Sequence, residues 1–506
     1  MSLTLIIFLI SLLHSAKSEF SDKLKSAKYE PTWESIDSRP IPLWYQKAKF
    51  GIFCHWGVYS VPAFKSEWFW WQWKTARNLA VLEFMRKNYR PETTYADFAH
   101  EFTAEFFDAN KFREIVEASG AKYFVFTSKH HEGYTMWPSK TSWNWNSVDV
   151  GPKKDIVGEL KTAFSSAGIH FGLYFSLFEF FNPYYIQDQQ KNTSDYVERR
   201  SYPQLLELVN IYEPELIWSD GDWEMSENYW KSKEFLAWLY NESPIKDNVV
   251  VNDRWGTGVM GNHGGFLTYS DNFNPGHLLP RKWENCMTLD KYSWGFRKNL
   301  ESSDVRNVSQ LIRELVTTIA CNGNFLLNVG PNKYGIIPAI FEDRLRELGK
   351  WVNRNKDAIF DTYPWMYQND SVDIWYTVSL PNSNVIRSSL AWTKHTKGSK
   401  LYVFFLEFPA KNKVELPSVL FTEQIKAAVL LDNDLSEEIP IIGSKGKPII
   451  LNFSSHQRLI RYNQIVVRIE NFDAIYHDPI KYLTKHRIID ANKKFQTINI
   501  HNVRRK

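Results

Sequence analysis

Seven apolar, strand-like runs in this 506-residue chain each close on a polar or ionisable residue, and helical stretches separate most of them. They close on His55, on Lys129-His130-His131, on Tyr174, on Asp220, on Asp253-Arg254, on Glu284 and on Asn328. A strand covered on both faces reads as a short continuous apolar run, so a reactive group at its end stands at an edge. Strands and helices in alternation, with chemistry gathered at the strand ends, predict a (β/α) barrel whose upper face carries a site. The fourth run, Ile217-Trp218-Ser219-Asp220-Gly221-Asp222, is the most telling. A carboxylate directly after an apolar run, beside a Trp and before a Gly, is poorly placed for packing and well placed for reaction.

The strand cores are expected at 50–54, 123–126, 171–175, 216–218, 249–251, near Trp283 and at 324–329. Helical spacing appears in Phe112, Ile115 and Val116, in Val157, Leu160 and Phe164 behind the cap residue Asp155, and in Leu311, Leu315 and Ile319. No eighth strand is legible, so the barrel is expected to be irregular, a (β/α)8-like (TIM) barrel over residues 19–360. Beyond Pro364 the texture changes to short alternating runs at 372–378, 400–405, 427–431 and 465–469. These predict a C-terminal antiparallel β-sandwich over 361–476. Residues 477–506 form a basic tail with eight Lys or Arg against two acids. It reads as a solvated end, and no motif supports nucleic-acid binding.

An apolar run from Leu3 to Leu13, followed by Ser15-Ala16-Lys17-Ser18, reads as a secretory leader over residues 1–18. No later run reaches the length of about 18 apolar residues that a membrane span requires. Asn192, Asn307, Asn369 and Asn452 head glycosylation sequons, and Asn241 heads a fifth that Pro244 weakens. Leader and sequons agree on the secretory route, ending outside the cell or in the lysosome. Cys54, Cys286 and Cys321 are too few for a disulfide framework, so buried free thiols are expected. Aromatic residues make up 16% of the chain, with 21 Trp. That share fits either a large aromatic core or a carbohydrate site, whose sugar C–H faces pack on rings.

Five blocks carry a specific resemblance: Lys49-Phe50-Gly51-Ile52-Phe53, His55-Trp56-Gly57, Ser66-Glu67-Trp68, Lys129-His130-His131-Glu132-Gly133 and Trp218-Ser219-Asp220-Gly221. With the stretch from Pro275 to Cys286, which fits P-x-x-L-x-x-x-K-W-E-x-C, the chain resembles the α-L-fucosidases of glycoside hydrolase family twenty-nine. The resemblance implies a retaining exo-hydrolase acting on fucosylated glycans, with two carboxyl groups about 5–5.5 Å apart. It implies Asp220 as nucleophile. For the acid/base it leaves Asp271, in the loop between the fifth and sixth strands, ahead of Glu284, with Glu67 third. The acid must hold its proton until needed, so burial and the nucleophile's charge should raise its pKa.

By the same resemblance His55, His130 and His131 bind sugar hydroxyls. Glu67 and Trp68 add a hydroxyl contact and an aromatic wall, Tyr174 and Trp218 are pocket members, and Arg254 is a cation near the carboxylates. Asp222 and Glu224 are expected to be structural, and Cys286 to be an inert thiol. Phe175, Phe178, Phe180 and Phe181 either face the ligand or pack. No metal and no cofactor are expected: neighbouring His residues on a strand point to opposite faces, and no H-E-x-x-H follows. Two alternatives remain open, a catalytically inactive fucose-binding lectin-like protein and a different retaining exo-glycosidase on the same barrel. A homo-oligomer is also open.

Overall fold

The protein's structure, a computed structural model, describes residues 28–381, 391–486 and 488. The expected leader, and the tail beyond 488, lie outside the described residues. Seven parallel strands form one sheet: β1 Phe50–Cys54, β2 Tyr123–Lys129, β3 His170–Ser176, β4 Leu216–Asp220, β5 Val250–Val251, β6 Trp283–Thr288 and β7 Gly323–Val329. Their order is β5-β4-β3-β2-β1-β7-β6, which leaves β5 and β6 as the two edges. The edges are joined through Phe266 and Leu267. The Phe266 amide donates to Val251 O (3.0 Å), the Leu267 amide to Lys282 O (2.9 Å) and the Glu284 amide to Leu267 O (2.8 Å). This two-residue stave is the missing eighth member, and it closes the barrel in chain order. Two residues cannot show an apolar run, and Gly264-Gly265 before them reads as a loop. In the fold Gly265 lies so close to β5 that an added Cβ would meet Val251 O at 2.2 Å, so only glycine lets the stave approach.

Alternation sorts the strand side chains into two cores. Phe53, Tyr123, Tyr174, Trp218, Cys286 and Leu326 fill the barrel interior, with Tyr45 of the helix Leu43–Ala48. Ile52, Phe124, Phe171, Ile217 and Phe325 point outward against the helices, among them Ala109–Ala118, Ile156–Ser166 and Val308–Ala320. The strands are therefore buried on both faces, as their near-continuous apolar runs require.

From Tyr363 onward the strands are antiparallel. A six-stranded sheet has the order β13-β12-β16-β10-β9-β8: Ser436–Glu438, Lys426–Leu430, Ile465–Glu470, Lys400–Phe405, Ile374–Ser379 and Tyr363–Ser371. A three-stranded sheet is formed by β11 Lys413–Leu420, β15 Pro448–Asn452 and β14 Ile441–Ile442. A second core lies between them, including Tyr376, Val403, Leu416, Leu451 and Val467. The architecture is a TIM-like barrel followed by a β-sandwich. Among the described residues no helix is long and apolar enough to cross a membrane.

Asn192, Asn307 and Asn369 are exposed and Asn452 is half-buried. Asn241 departs from expectation. Its Nδ2 donates to Tyr29 O and its Oδ1 accepts from the Tyr29 amide, both at 2.8 Å, while the sequon's Ser243 is buried on Leu239 O. Asn241 is therefore half-buried and engaged on both side-chain atoms, unlike the exposed sequon asparagines.

Candidate active site

At the C-terminal end of the barrel one guanidinium joins two carboxylates. Arg254, three residues past β5, donates from Nη1 to Asp220 Oδ1 (3.0 Å) and from Nη2 to Asp271 Oδ1 (2.6 Å). Its Nε donates to Thr268 Oγ1 (3.1 Å), and its flat face lies 4.5 Å from the centre of the Trp218 ring. Burial works against charge on Arg254, but Asp271 and Asp220 outweigh it and raise its pKa well above the ordinary value. The planar fork fixes both acids in direction as well as distance.

Asp220 closes β4 and is 8% exposed, enough for one open side. Its Oδ2 accepts from the Tyr174 hydroxyl (2.8 Å) and stands 3.5 Å from His131 Nε2. Gly221 follows at φ +77°, where an added Cβ would meet the Phe178 ring at 2.4 Å. The chain can therefore turn away directly after the carboxylate. Asp271 is more open, its side chain 36% exposed. Its loop is tightly shaped: Tyr269 and Asn272 both have positive φ, and the Asn272 amide donates to Cys286 O (2.9 Å). A tyrosine in the left-handed region stores about 1–2 kcal/mol, which the surrounding packing must offset.

The proton positions around His55 follow from its neighbours. Asn328 Nδ2 donates to Trp294 O (2.7 Å), so Asn328 Oδ1 must accept from His55 Nδ1–H (2.7 Å). Nε2 of His55 is left as an acceptor. Burial, with His130 adding to it, lowers the His55 pKa to about 3, which keeps the ring neutral. Unfolded, the same group takes a proton near pH 6.5. Between these values the unfolded state binds more protons, so stability falls as pH drops through that window. A His55→Gln chain should therefore lose less Tm than the parent between pH 6.5 and pH 4. Equal losses would contradict a neutral His55.

Glu67 Oε2 accepts from the Trp294 amide (3.0 Å), the Gly295 amide (3.1 Å) and Ser293 Oγ (3.2 Å), while Oε1 takes no hydrogen bond from the described residues. Glu67 thus pins the loop that sets Trp294 5.0 Å from His55, ring to ring. Trp294 is absent from the sequence-based candidates because it lies in a loop that no periodicity marks.

His130 and His131 do not point to opposite faces. β2 ends at Lys129, and the Gly133 amide donates back to His130 O, so both residues lie in a turn beyond the strand. Their rings are 4.1 Å apart, and both line the site. Ser176 Oγ donates to Phe178 O and so accepts from His131 Nδ1–H (2.6 Å). His130 stacks on Tyr174, its Nδ1 3.4 Å from Glu132 Oε2 and too poorly aligned for a hydrogen bond. Trp68, Phe178, Phe180 and Trp223 wall His131 at ring distances of 4.7–5.4 Å. Phe181 packs outside this wall against Trp70. Phe175 faces the outer core, where the Lys129 ammonium covers its ring at 4.2 Å, so it does not shape the pocket.

Glu284 is not at the rim. β6 runs from Trp283 to Thr288, so Glu284 is its second residue, roughly 13 Å below the strand end at about 3.3 Å per residue. It is fully buried and accepts from Tyr45 and Tyr123 hydroxyls (2.7 Å each) and from Trp218 Nε1 (2.9 Å). Burial raises its pKa to about 7, and those three donors pull it back. That shift satisfies the electrostatic requirement for an acid while the geometry fails it, and geometry comes first. Asp222 is also buried, which raises its pKa to about 7 against the opposing pull of Arg254. Glu224 lies on Tyr185 and Gln189. Burial raises the Cys286 thiol well above its ordinary value, so a thiolate there is disfavoured. Among the described residues no group of three or more His, Cys, Asp or Glu is arranged to hold a metal ion.

The arrangement can therefore present a carboxylate held by Arg254 and a second, more exposed acid to one ligand, inside a wall of hydrogen-bonding groups and aromatic rings. The family model described as Alpha-L-fucosidase matches residues 17–357. The chain is 51% identical over 496 residues to a putative alpha-L-fucosidase of Caenorhabditis elegans, covering 96% of this chain and 99% of that protein. It is 49% identical over 396 residues to plasma alpha-L-fucosidase of Homo sapiens, covering 77% and 81%. The crystal structure of Thermotoga maritima alpha-fucosidase in complex with fucose superposes with a TM-score of 0.69 at 30% identity, covering 87% of this chain and all of that one.

Proposed function

The chain belongs to the alpha-L-fucosidase family, and from that premise we propose that it removes terminal α-L-fucose from fucosylated glycans with retention of configuration. The observation that carries the proposal is the Arg254 fork holding Asp220 and Asp271 side by side. In the first step an Asp220 oxygen attacks the anomeric carbon, the bond from that carbon to the glycosidic oxygen breaks, and Asp271, which must first take up a proton against the pull of Arg254 rather than with the help of burial, gives that proton to the departing oxygen. In the second step Asp271 takes a proton from water, which attacks the same carbon and releases Asp220. Arg254 and the Tyr174 hydroxyl keep Asp220 ionised and aimed. His55 Nε2 and Glu67 Oε1 accept hydrogen bonds from sugar hydroxyls, and the rings of Trp68 and Trp294 pack on its apolar face. Glu284 acts from below by fixing Trp218, against which Arg254 lies. Neither a metal nor a cofactor enters these steps.

The barrel, 19–360, is the catalytic unit in this reading, and the sandwich, 361–476, braces it. The leader-like N-terminus, the sequons and the plasma relative support passage through the secretory pathway.

The test is a panel of aryl glycosides with the product followed by proton NMR. The α-L-fucoside should be hydrolysed and α-L-fucose should be the first anomer seen. No fucoside turnover, or a first product of β configuration, would overturn the proposal.

A further inference from the structure

A groove of about 240 Å3 opens where the barrel meets the sandwich. Asn307, Gln310 and Arg313 line it from the helix Val308–Ala320 and its cap, and Glu407, Asn463 and Gln464 line it from the sandwich. Leu406 and the aliphatic stems of the longer side chains add apolar surface between these hydrogen-bonding groups, a mixture that suits a pyranose, whose hydroxyls and C–H faces need both. The two sides already meet beside it: Arg313 donates to Val372 O (3.0 Å) and Asp373 Oδ1 (2.7 Å), and Asn463 Nδ2 donates to Ser309 Oγ (3.3 Å).

Asn307 heads the sequon Asn307-Val308-Ser309 and is exposed at the groove's edge. Its Oδ1 caps the helix by accepting from the Gln310 amide (2.9 Å), while Nδ2 takes no partner among the described residues. The nitrogen that glycosylation uses is thus the atom the cap does not need. Every sandwich residue follows Asn307 in the chain, so the sequon is complete before the far wall of the groove exists.

We propose that Asn307 is N-glycosylated and that its first N-acetylglucosamine seats in this groove, bonding across it so that the glycan ties the sandwich to the barrel. In the modification Asn307 Nδ2 attacks C1 of a lipid-linked oligosaccharyl diphosphate. Nδ2 loses a proton, the C1–O bond breaks, and the lipid diphosphate leaves with the electron pair. The inference rests on the secretory reading.

The test uses the full chain secreted from eukaryotic cells, with sequon occupancy read by glycopeptide mass spectrometry. An endoglycosidase that leaves one N-acetylglucosamine should change neither Tm nor hydrogen exchange at residues 306–313 and 463–466. Asn307→Asp keeps the helix cap, because an Asp carboxylate accepts from the same amide. It should nevertheless lower Tm by roughly 2 °C and speed exchange several-fold at both segments, with fucoside turnover unchanged. Asn192→Asp and Asn369→Asp should leave both segments as they were. An empty Asn307 beside occupied Asn192 or Asn369 would overturn the inference alone. An occupied Asn307 whose loss changes nothing would do the same. If the chain is secreted with every sequon empty, the inference falls alone; if it is retained in the cytosol, the secretory reading falls and takes the inference with it.

Discussion

Asp220→Gly is expected to lower turnover of an aryl α-L-fucoside by roughly 10^4-fold, and added azide should then restore reaction with a β-L-fucosyl azide as product. Removing the carboxylate leaves no atom able to bond to the anomeric carbon, while the Arg254 fork and the aromatic wall still hold the sugar. The space left beside Gly221 admits a small anion from the face that Asp220 occupied. Attack from that face on an α-fucoside inverts the centre, so the configuration of the azide reports which side the nucleophile stands on. Rescue with retained configuration, or none at all in a folded chain that still binds fucose, would remove Asp220 from its role.

The second large effect separates Asp271 from Glu284. Asp271→Ala should lower kcat/KM for fucosides with poor leaving groups by about 10^2–10^4-fold. A dinitrophenyl fucoside, whose leaving group needs no proton, should be largely spared. Glu284→Ala should instead weaken both substrates by similar factors. Glu284 accepts from Trp218, Tyr45 and Tyr123, so its loss disturbs the floor beneath Arg254 rather than a proton transfer. A leaving-group dependence that appears in the Glu284 variant and not in the Asp271 variant would reverse the assignment. The contrast holds even if both variants are less stable, because it is read as a ratio between two substrates of one protein.

The strands of the barrel were legible because burial on both faces forces uninterrupted apolar runs, and the strand order follows the chain. The Phe266–Leu267 stave was not, since two residues cannot show a period and their approach depends on glycines that also suit loops. The same limit blurred Glu284. Its apolar flank made it look like a strand end, although the strand continues to Thr288. Alternation also misled at His130 and His131, because the rule stops where the ladder stops, and Gly133 shortly afterwards was the available sign of a turn. Asp220, His55, Tyr174 and Arg254 were legible as rim residues because each lies at or near a strand terminus. Trp294 was missed because a loop held by one carboxylate leaves no pattern behind. The sandwich could be read from its alternating runs, but the groove at Asn307 could not, since its walls come from segments far apart in the chain, Asn307–Arg313 against Leu406–Glu407 and Asn463–Gln464.

The two-residue stave has a consequence for how this molecule ages under heat. Asp220 closes a strand inside a continuous seven-stranded ladder, whereas Asp271 follows a stave joined to its two neighbours by a seam of three backbone hydrogen bonds. Slackening of that seam would separate the two acids while the bulk of the barrel stays intact. Catalytic competence is thereby a finer gauge of barrel integrity than any spectroscopic signal averaged over the chain.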